Sequence, residues 1–221
     1  MKKILAALAL WFPISMMAQS NWEIPNAGNN NQKEVKKEKK AEKQSAQAAY
    51  RDPKYTSKDA VTEIDGKVAW EIDIDVPGST AQQNYDKMLE FLNKLVTEKN
   101  QLENSNVSLV NKQEHKIAAS VREWLILSST FYATDRTKFY YTLFVDCFDN
   151  HVKVTMNRIN YYYDERPNIT TKFTAEELIS NDNALNKAKT KLVRPGAKFR
   201  RRTIDRKDEL FSKIKSYLIN G

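Results

Sequence analysis

Two alternating runs, residues 138–149 and 152–163, constrain the fold of this 221-residue chain more than any other feature. Apolar and polar side chains alternate along each run, and a period of two places them on opposite faces of a β-strand. The intervening Asp149-Asn150-His151 is a tight-turn signal. The sequence therefore predicts a long antiparallel hairpin. The predicted core face of its first strand comprises Phe139, Tyr141, Leu143, Val145 and Cys147.

A strand and a helix are predicted before this hairpin. Residues 67–76 alternate, with Trp70 and Ile74 among the apolar positions, and Pro77-Gly78 ends the run. Ser79 and Thr80 precede Gln82 and Gln83 at the spacing of a capping box, and an apolar stripe at helical spacing follows over residues 85–96. Further alternating runs at 107–111 and 115–129 predict two more strands.

Helices are predicted after the hairpin. Thr174 and Glu177 form a second capping-box pattern, which opens a short helix, and another helical piece is expected to run to Leu192. A last helix is expected from about Asp205 to Leu218. Because consecutive strands joined by short turns pair antiparallel, this order predicts an α+β fold in which helices pack on one face of a curled antiparallel sheet.

The N-terminus has the pattern of a secretory signal peptide. Lys2 and Lys3 precede an apolar run over residues 4–17, which ends in small and polar residues. This pattern predicts a signal peptide over residues 1–20 and export to the periplasm or the extracellular space. An uncleaved anchor is the alternative. No cysteine follows the run, so the chain is not expected to be a lipoprotein, and no transmembrane segment is expected after cleavage.

The rest of the chain divides into three predicted parts. Residues 21–65 are polar and charged, which predicts a disordered basic linker. Residues 66–165 form the predicted α+β domain, and residues 166–221 a basic helical C-terminal extension. The net charge of +8 is concentrated in the two flanks, where an electrostatic partner is expected. Cys147 is the sole cysteine, so the fold cannot rest on an intramolecular disulfide, and its position predicts a buried thiol.

Two clusters of residues indicate a binding function. The segment 187–202 contains no acid, and hairpin aromatics offer a second surface. Together they predict contact with an envelope protein, an anionic lipid headgroup or an acidic glycan; alternatively, the basic run is a solvated linker and the aromatics cover the core. The anion-binding candidates are Lys187, Lys189, Lys191, Arg194, Lys198, Arg200, Arg201 and Arg202, and the partner-surface candidates are Tyr140, Phe144, Tyr161 and Tyr163.

Catalytic and metal-binding patterns are sparse in the sequence. His115 and His151 stand alone, without neighbours at zinc-ligand spacing. No nucleophile-elbow, zinc-protease or phosphate-loop motif occurs. Asp73 and Asp75 share a strand face and are the pair that an enzyme would use. We therefore expect no metal, no cofactor and no catalytic activity.

Two segments within 67–165 are VAWEIDIDVPGSTAQQNYDKMLEFLNKL and FYYTLFVDCFDNHVKVTMNRINYYYDE, and the C-terminal part contains TIDRKDELFSKIKSYL. With these segments the chain resembles domain-of-unknown-function family 4468 (DUF4468), which is described as having a TATA-binding-protein-like (TBP-like) fold, and the C-terminal segment is similar to the extension found after such domains. The resemblance implies a secreted protein of Gram-negative bacteria and no known activity. A fold name taken from a DNA-binding protein does not imply DNA binding.

The leading expectation is thus an exported, non-enzymatic binding or assembly domain of the cell envelope. An envelope polymer-processing enzyme that uses surface carboxylates is the alternative. Nucleic-acid binding is a third hypothesis, which the predicted export disfavours.

Overall fold

A computed structural model describes residues 48–166 and 169–220 of the chain. They belong to one compact unit, Gln44–Gly221. The predicted signal peptide, and the predicted linker up to residue 47, lie outside the described residues. Within the described part, no helix has the length and apolar character to cross a membrane.

Order begins earlier than the sequence predicted. Helix α1 (Pro53–Thr56) and a 3-10 turn (Lys58–Ala60) precede a short hairpin of β1 (Glu63–Ile64) and β2 (Lys67–Val68). Val61 is buried in the main core. The expectation that residues 48–65 belong to a disordered linker is therefore wrong, because this segment packs on the domain.

The remaining elements follow the predicted order of a strand, a helix, several strands and then helices. They are β3 (Trp70–Asp75), α2 (Ala81–Leu95), β4 (Asn106–Asn111), β5 (Lys116–Ser129), β6 (Thr134–Phe148), β7 (His151–Arg166), β8 (Ile169–Thr174), α3 (Ala175–Leu178), α4 (Asn181–Ala184) and α5 (Gly196–Asn220). Both predicted capping boxes form, at Thr80–Gln83 for α2 and at Thr174–Glu177 for α3.

The long strands form an open antiparallel sheet in the order β3-β7-β6-β5-β4. Strand β8 pairs with the second half of β7, on the same edge that β3 occupies along the first half. The predicted hairpin of β6 and β7 is confirmed, with Phe148 opposite His151 and Asn150 at a φ of 66° in the turn. Inward side chains of β5, β6 and β7 form one core with α2 and α5.

A β-bulge in β7 reverses its faces part-way along the strand. Thr142 pairs with Asn157 but Tyr140 pairs with Asn160, so two residues of β7 oppose one of β6. Arg158 in the bulge has a φ of 54°. Beyond this point Tyr161 is buried and Tyr162 faces outward, the reverse of what strict alternation predicts.

The C-terminal region is part of the same domain. Helix α5 has 25 residues and begins about nine residues before the predicted start. The predicted helix up to Leu192 ends early, at Ala184, and Leu192 instead forms a β-bridge with Leu185. Phe199, Leu210 and Ile214 of α5 lie in the main core. The predicted division into a domain ending at 165 and a separate extension is therefore corrected, because α5 supplies one side of the core.

Candidate functional site

The sheet face opposite the helices carries cations and aromatic rings. Helices α2 and α5 pack against the inward side chains, and the outward side chains of β5 to β8 remain partly exposed. We call these outward residues the cationic–aromatic face. They are Arg122, Trp124, Arg136, Lys138, Tyr140, Phe144, Arg158, Tyr162 and Lys172.

One row of this face crosses four strands. The rings of Tyr140 and Tyr162 meet with centroids 4.7 Å apart. Arg122 places its guanidinium carbon 5.2 Å from the Tyr140 centroid, and Lys172 places Nζ 5.8 Å from that of Tyr162. The cross-strand register produces this row, because Arg122 lies opposite Tyr140 and Tyr162 lies opposite Lys172. Cations within about 6 Å of a ring are attracted to its face.

Two more cation–ring pairs extend the face. The Arg136 guanidinium carbon lies 3.9 Å from the Trp124 ring centroid, within stacking distance. The Arg158 guanidinium carbon lies 5.2 Å from the Phe144 centroid. The bulge therefore adds a fifth cation, because it turns Arg158 outward beside Phe144.

Charge divides the sheet face into two halves. Among the described residues, none of the five cations of the cationic–aromatic face forms an ion pair with a carboxylate. At the other end of the sheet, Lys153 pairs with Glu71 at 2.9 Å and Lys116 with Glu114 at 3.1 Å. The unpaired half therefore has a net positive potential and aromatic surface together, which favours an anionic ligand with flat apolar faces.

A groove lies beside this face, where β3 and β8 leave the edge of β7 uncovered at the bulge. Its volume is about 640 Å³, and its lining includes Arg158, Asn160 and Glu176. Asn157 also lines the groove, and its Oδ1 atom is buried without a hydrogen-bond partner in the described structure. The groove thus offers amide groups and charges of both signs to a polar ligand.

The structure divides the predicted aromatic partner surface between two faces. Tyr140 and Phe144 lie on the outer face, as predicted. Tyr161 is 0% exposed and shares a 2.8 Å hydrogen bond with Thr203, and burial raises the pKa of its hydroxyl. Tyr163 lies 5.5 Å from the Phe199 ring on the helix side. The assignment of Tyr161 and Tyr163 to an exposed surface is wrong, because the bulge reverses β7.

Arg200 is a core residue, contrary to its predicted place in an exposed basic segment. It is 0% exposed, and burial lowers the pKa of its guanidinium to about 10. It donates hydrogen bonds to the carbonyl oxygens of Tyr55, Ser57 and Ile179, at 2.7–3.3 Å, and to Asn181 Oδ1 at 2.8 Å. Arg200 therefore ties the N-terminal segment to α5 and is not available to an external anion.

The other predicted anion-binding residues do not form one surface. Lys198 pairs with Asp135 at 2.8 Å, Lys189 pairs with Asp182 at 2.6 Å, and Arg202 donates to the Leu127 carbonyl oxygen. Arg201 lies 5.4 Å from the Tyr50 ring, whereas Lys187, Lys191 and Arg194 are exposed. The segment 187–202 is therefore not one continuous exposed basic run, because two of its lysines are ion-paired and Arg200 is buried.

Glu123 is a buried charge that the sequence analysis missed. It lies on the core face of β5 and is 1% exposed. Arg206 of α5 donates to both of its carboxylate oxygens at 2.8 Å, and Tyr141 donates at 3.1 Å. Asn100 and Gln101 donate at 3.0 and 3.1 Å. This carboxylate raises the pKa of Arg206 despite its burial. The network holds α5 on the sheet and occupies both carboxylate oxygens of Glu123.

The residues considered for catalysis and metal binding are dispersed. Asp73 and Asp75 are exposed on β3. Cys147 is buried, as predicted, and burial raises the pKa of its thiol to about 12. Within residues 48–166 and 169–220, no group of three or more His, Cys, Asp or Glu side chains is placed to hold a metal ion.

Comparison with solved structures identifies the family. A DUF4468 family protein from Bacteroides ovatus ATCC 8483 is 36% identical, with a TM-score of 0.69, over 76% of this chain and 95% of that one. The chain belongs to the DUF4468 family. The family model, a domain of unknown function with TBP-like fold, matches residues 70–162. Membership of DUF4468, expected from the sequence, is thus confirmed.

A second solved structure has the same fold at lower identity. A TBP-like protein from Parabacteroides distasonis ATCC 8503 is 22% identical, with a TM-score of 0.59, over 72% of this chain and 97% of that one. The predicted α+β, TBP-like fold of this DUF4468 protein is therefore confirmed. No curated protein matches the chain.

Proposed function

We propose that this DUF4468 protein is an exported, non-enzymatic binding domain of the cell envelope, whose cationic–aromatic face holds an acidic glycan. The observation that carries the proposal is the set of five unpaired cations interleaved with four aromatic rings on the sheet face opposite the helices. Export is inferred from the N-terminal sequence pattern.

An acidic glycan has the two chemical features that this face selects. Its carboxylates pair with guanidinium and ammonium groups through charge-assisted hydrogen bonds, and the apolar C–H faces of its sugar rings pack on aromatic rings. The groove beside Arg158 adds the side chains of Asn160 and Glu176, which can hydrogen-bond with sugar hydroxyls. These features support a ligand that is both anionic and hydroxyl-rich.

The other hypotheses have less support. Stacked rings and cations also bind single-stranded nucleic acid. However, the signal-peptide pattern directs the chain out of the cytoplasm, and such a ligand is scarce there. An enzyme that used Asp73 and Asp75 would need a cleft to shift their pKa values. Both residues are instead exposed on β3.

A charge-matched pair of variants tests the proposal. Binding to polygalacturonate, an acidic glycan, is measured by titration calorimetry, with neutral dextran as the reference polymer. Arg122→Gln/Lys172→Gln removes two cations from the cationic–aromatic face. Lys116→Gln/Lys153→Gln removes two ion-paired cations from the other half of the sheet. The first variant should lose about tenfold in affinity, since each contact with an exposed charge contributes up to about 1 kcal/mol, while the second should bind like the parent.

Several results would contradict the proposal. Equal losses in the two variants would show that net charge alone governs binding. Failure of the parent to bind polygalacturonate at low ionic strength would exclude an acidic glycan of this type. Tighter binding to a single-stranded oligonucleotide than to polygalacturonate would favour the nucleic-acid hypothesis.

A further inference from the structure

Two aromatic side chains at the tip of the β5–β6 hairpin are almost fully exposed. Phe131 is 95% exposed and Tyr132 is 92% exposed. Thr130 closes the loop by donating its N–H to the Ala133 carbonyl oxygen at 2.8 Å, so the two aromatics occupy the turn itself. Their rings contact each other at a centroid distance of 5.1 Å.

The tip projects from the sheet as a two-stranded ribbon. Strand β4 pairs with β5 only as far as Ser120, and β7 reaches β6 only from Lys138. All residues from 128 to 134 are exposed. Turn positions are usually occupied by Gly, Asn, Asp, Ser or Pro, so two adjacent aromatic residues at such a tip indicate a contact with an apolar phase.

The base of the ribbon is basic. Arg136 and Lys138 lie on its outer face, and on the helix side Arg202 donates to the Leu127 carbonyl oxygen while Lys198 pairs with Asp135. Four cations thus lie at the base of the ribbon behind an aromatic tip, and one of them, Lys198, is ion-paired. Aromatic side chains are enriched at the headgroup level of membranes, and cations near the surface are attracted to anionic headgroups.

We infer that the β5–β6 tip is a membrane-contact loop, which inserts Phe131 and Tyr132 at the headgroup–acyl boundary of an anionic bilayer. A bilayer suits this surface better than a protein partner does, because a convex two-residue tip needs a matching pocket in a protein but displaces lipid readily. Only two side chains insert, so the contact is weak and reversible and depends on the basic residues as a second attraction. The proposed glycan site uses a different part of the sheet, apart from Arg136 and Lys138.

Vesicle co-sedimentation tests this inference with a matched control. The unit Gln44–Gly221, which has its own core, is used so that the apolar run at residues 4–17 makes no contribution. The parent should sediment with vesicles containing phosphatidylglycerol and much less with pure phosphatidylcholine. Phe131→Ser/Tyr132→Ser should reduce the bound fraction at least fivefold. Leu109→Ser/Val110→Ser removes another adjacent, half-exposed apolar pair, on β4, and should bind like the parent.

A second measurement locates the tip directly. In Trp124→Phe/Tyr132→Trp, brominated lipids should quench the new indole if the ring enters the acyl boundary, whereas Trp70, the other tryptophan of this unit, is buried and should be unaffected. Absence of parent binding, equal binding by the Phe131→Ser/Tyr132→Ser variant, or absence of quenching would overturn the inference. If the parent does not bind vesicles but Phe131→Ser/Tyr132→Ser changes the oligomeric state, the tip contacts a second copy of the chain instead.

Discussion

Removing Arg206 should destabilise the fold far more than removing an exposed ion-pair partner. Glu123 is 1% exposed. In Arg206→Met, its carboxylate stays buried but loses the two hydrogen bonds that the positively charged guanidinium donates. Breaking a buried pair in this way costs about 3–5 kcal/mol. Three neutral donors, from Tyr141, Asn100 and Gln101, still reach the carboxylate. We therefore expect the lower end of that range, about 3 kcal/mol.

Urea unfolding measures this loss. With a slope of about 2 kcal/mol per M urea, a typical value for a domain of this size, the midpoint should fall by about 1.5 M. Lys94→Met breaks the Glu90–Lys94 pair of α2, in which both side chains are more than half exposed. That variant should have nearly the same urea midpoint as the parent, because water screens an exposed pair.

A second substitution, Glu123→Gln, gives a sharper test, because its effect on the free energy of unfolding should change sign when Arg206 is absent. Glu123→Gln alone should destabilise the protein, because it leaves the guanidinium of Arg206 without its buried anion. Added to Arg206→Met, the same substitution should raise stability, because it removes an uncompensated buried charge. If Arg206→Met has the same urea midpoint as Lys94→Met, the buried pair does not hold α5 on the sheet. The same conclusion follows if Glu123→Gln changes the free energy of unfolding in the same direction with and without Arg206.

Three further predictions concern single positions. Trp70→Ala should lower the free energy of unfolding by about 3–5 kcal/mol, since Trp70 is buried, whereas Asp73→Ala on the exposed side of the same strand should leave the urea midpoint unchanged. Gly196→Ala should destabilise the start of α5, seen as a lower Tm, because the new Cβ would lie 2.1 Å from the Leu178 carbonyl oxygen; a Tm equal to the parent's would contradict that contact. The Cys147 thiol should react with a thiol reagent at pH 8 only at the rate of unfolding, because the side chain is 3% exposed, and rapid reaction of the native protein would refute this.

The elements that the sequence predicted well are those with local signals. Alternation defined β3, β6 and the start of β7, and two capping boxes marked the beginnings of α2 and α3. The face of each strand was correct as long as the register stayed regular. The bulge has no such signal, because no glycine stands at Arg158 or beside it. The predicted faces of Tyr161 and Tyr163, which follow the bulge, were therefore inverted.

Buried polar residues account for most of the remaining differences. Arg200 and Thr203 occupy core-facing positions of α5, so the apolar stripe begins too late in the sequence to reveal the first turns of the helix. Glu123 similarly interrupts the apolar face of β5, and its partner lies 83 residues away. Such pairs become apparent only when the fold brings them together, and the cationic–aromatic face likewise depends on register across four strands.

The hydrogen bonds of Arg200 to the N-terminal segment affect how the domain would respond to tension on the chain. Its guanidinium holds the carbonyl oxygens of Tyr55 and Ser57, and Lys54 pairs with Asp205 at 2.6 Å. A pull applied at residue 48 would therefore load the hydrogen bond from Leu192 N–H to the Tyr50 carbonyl oxygen, and then the contacts of Tyr55 and Ser57 with the C-terminal helix. The contacts that tension would load first thus lie on the helix side of the domain, whereas the cationic–aromatic face lies on the opposite side of the sheet.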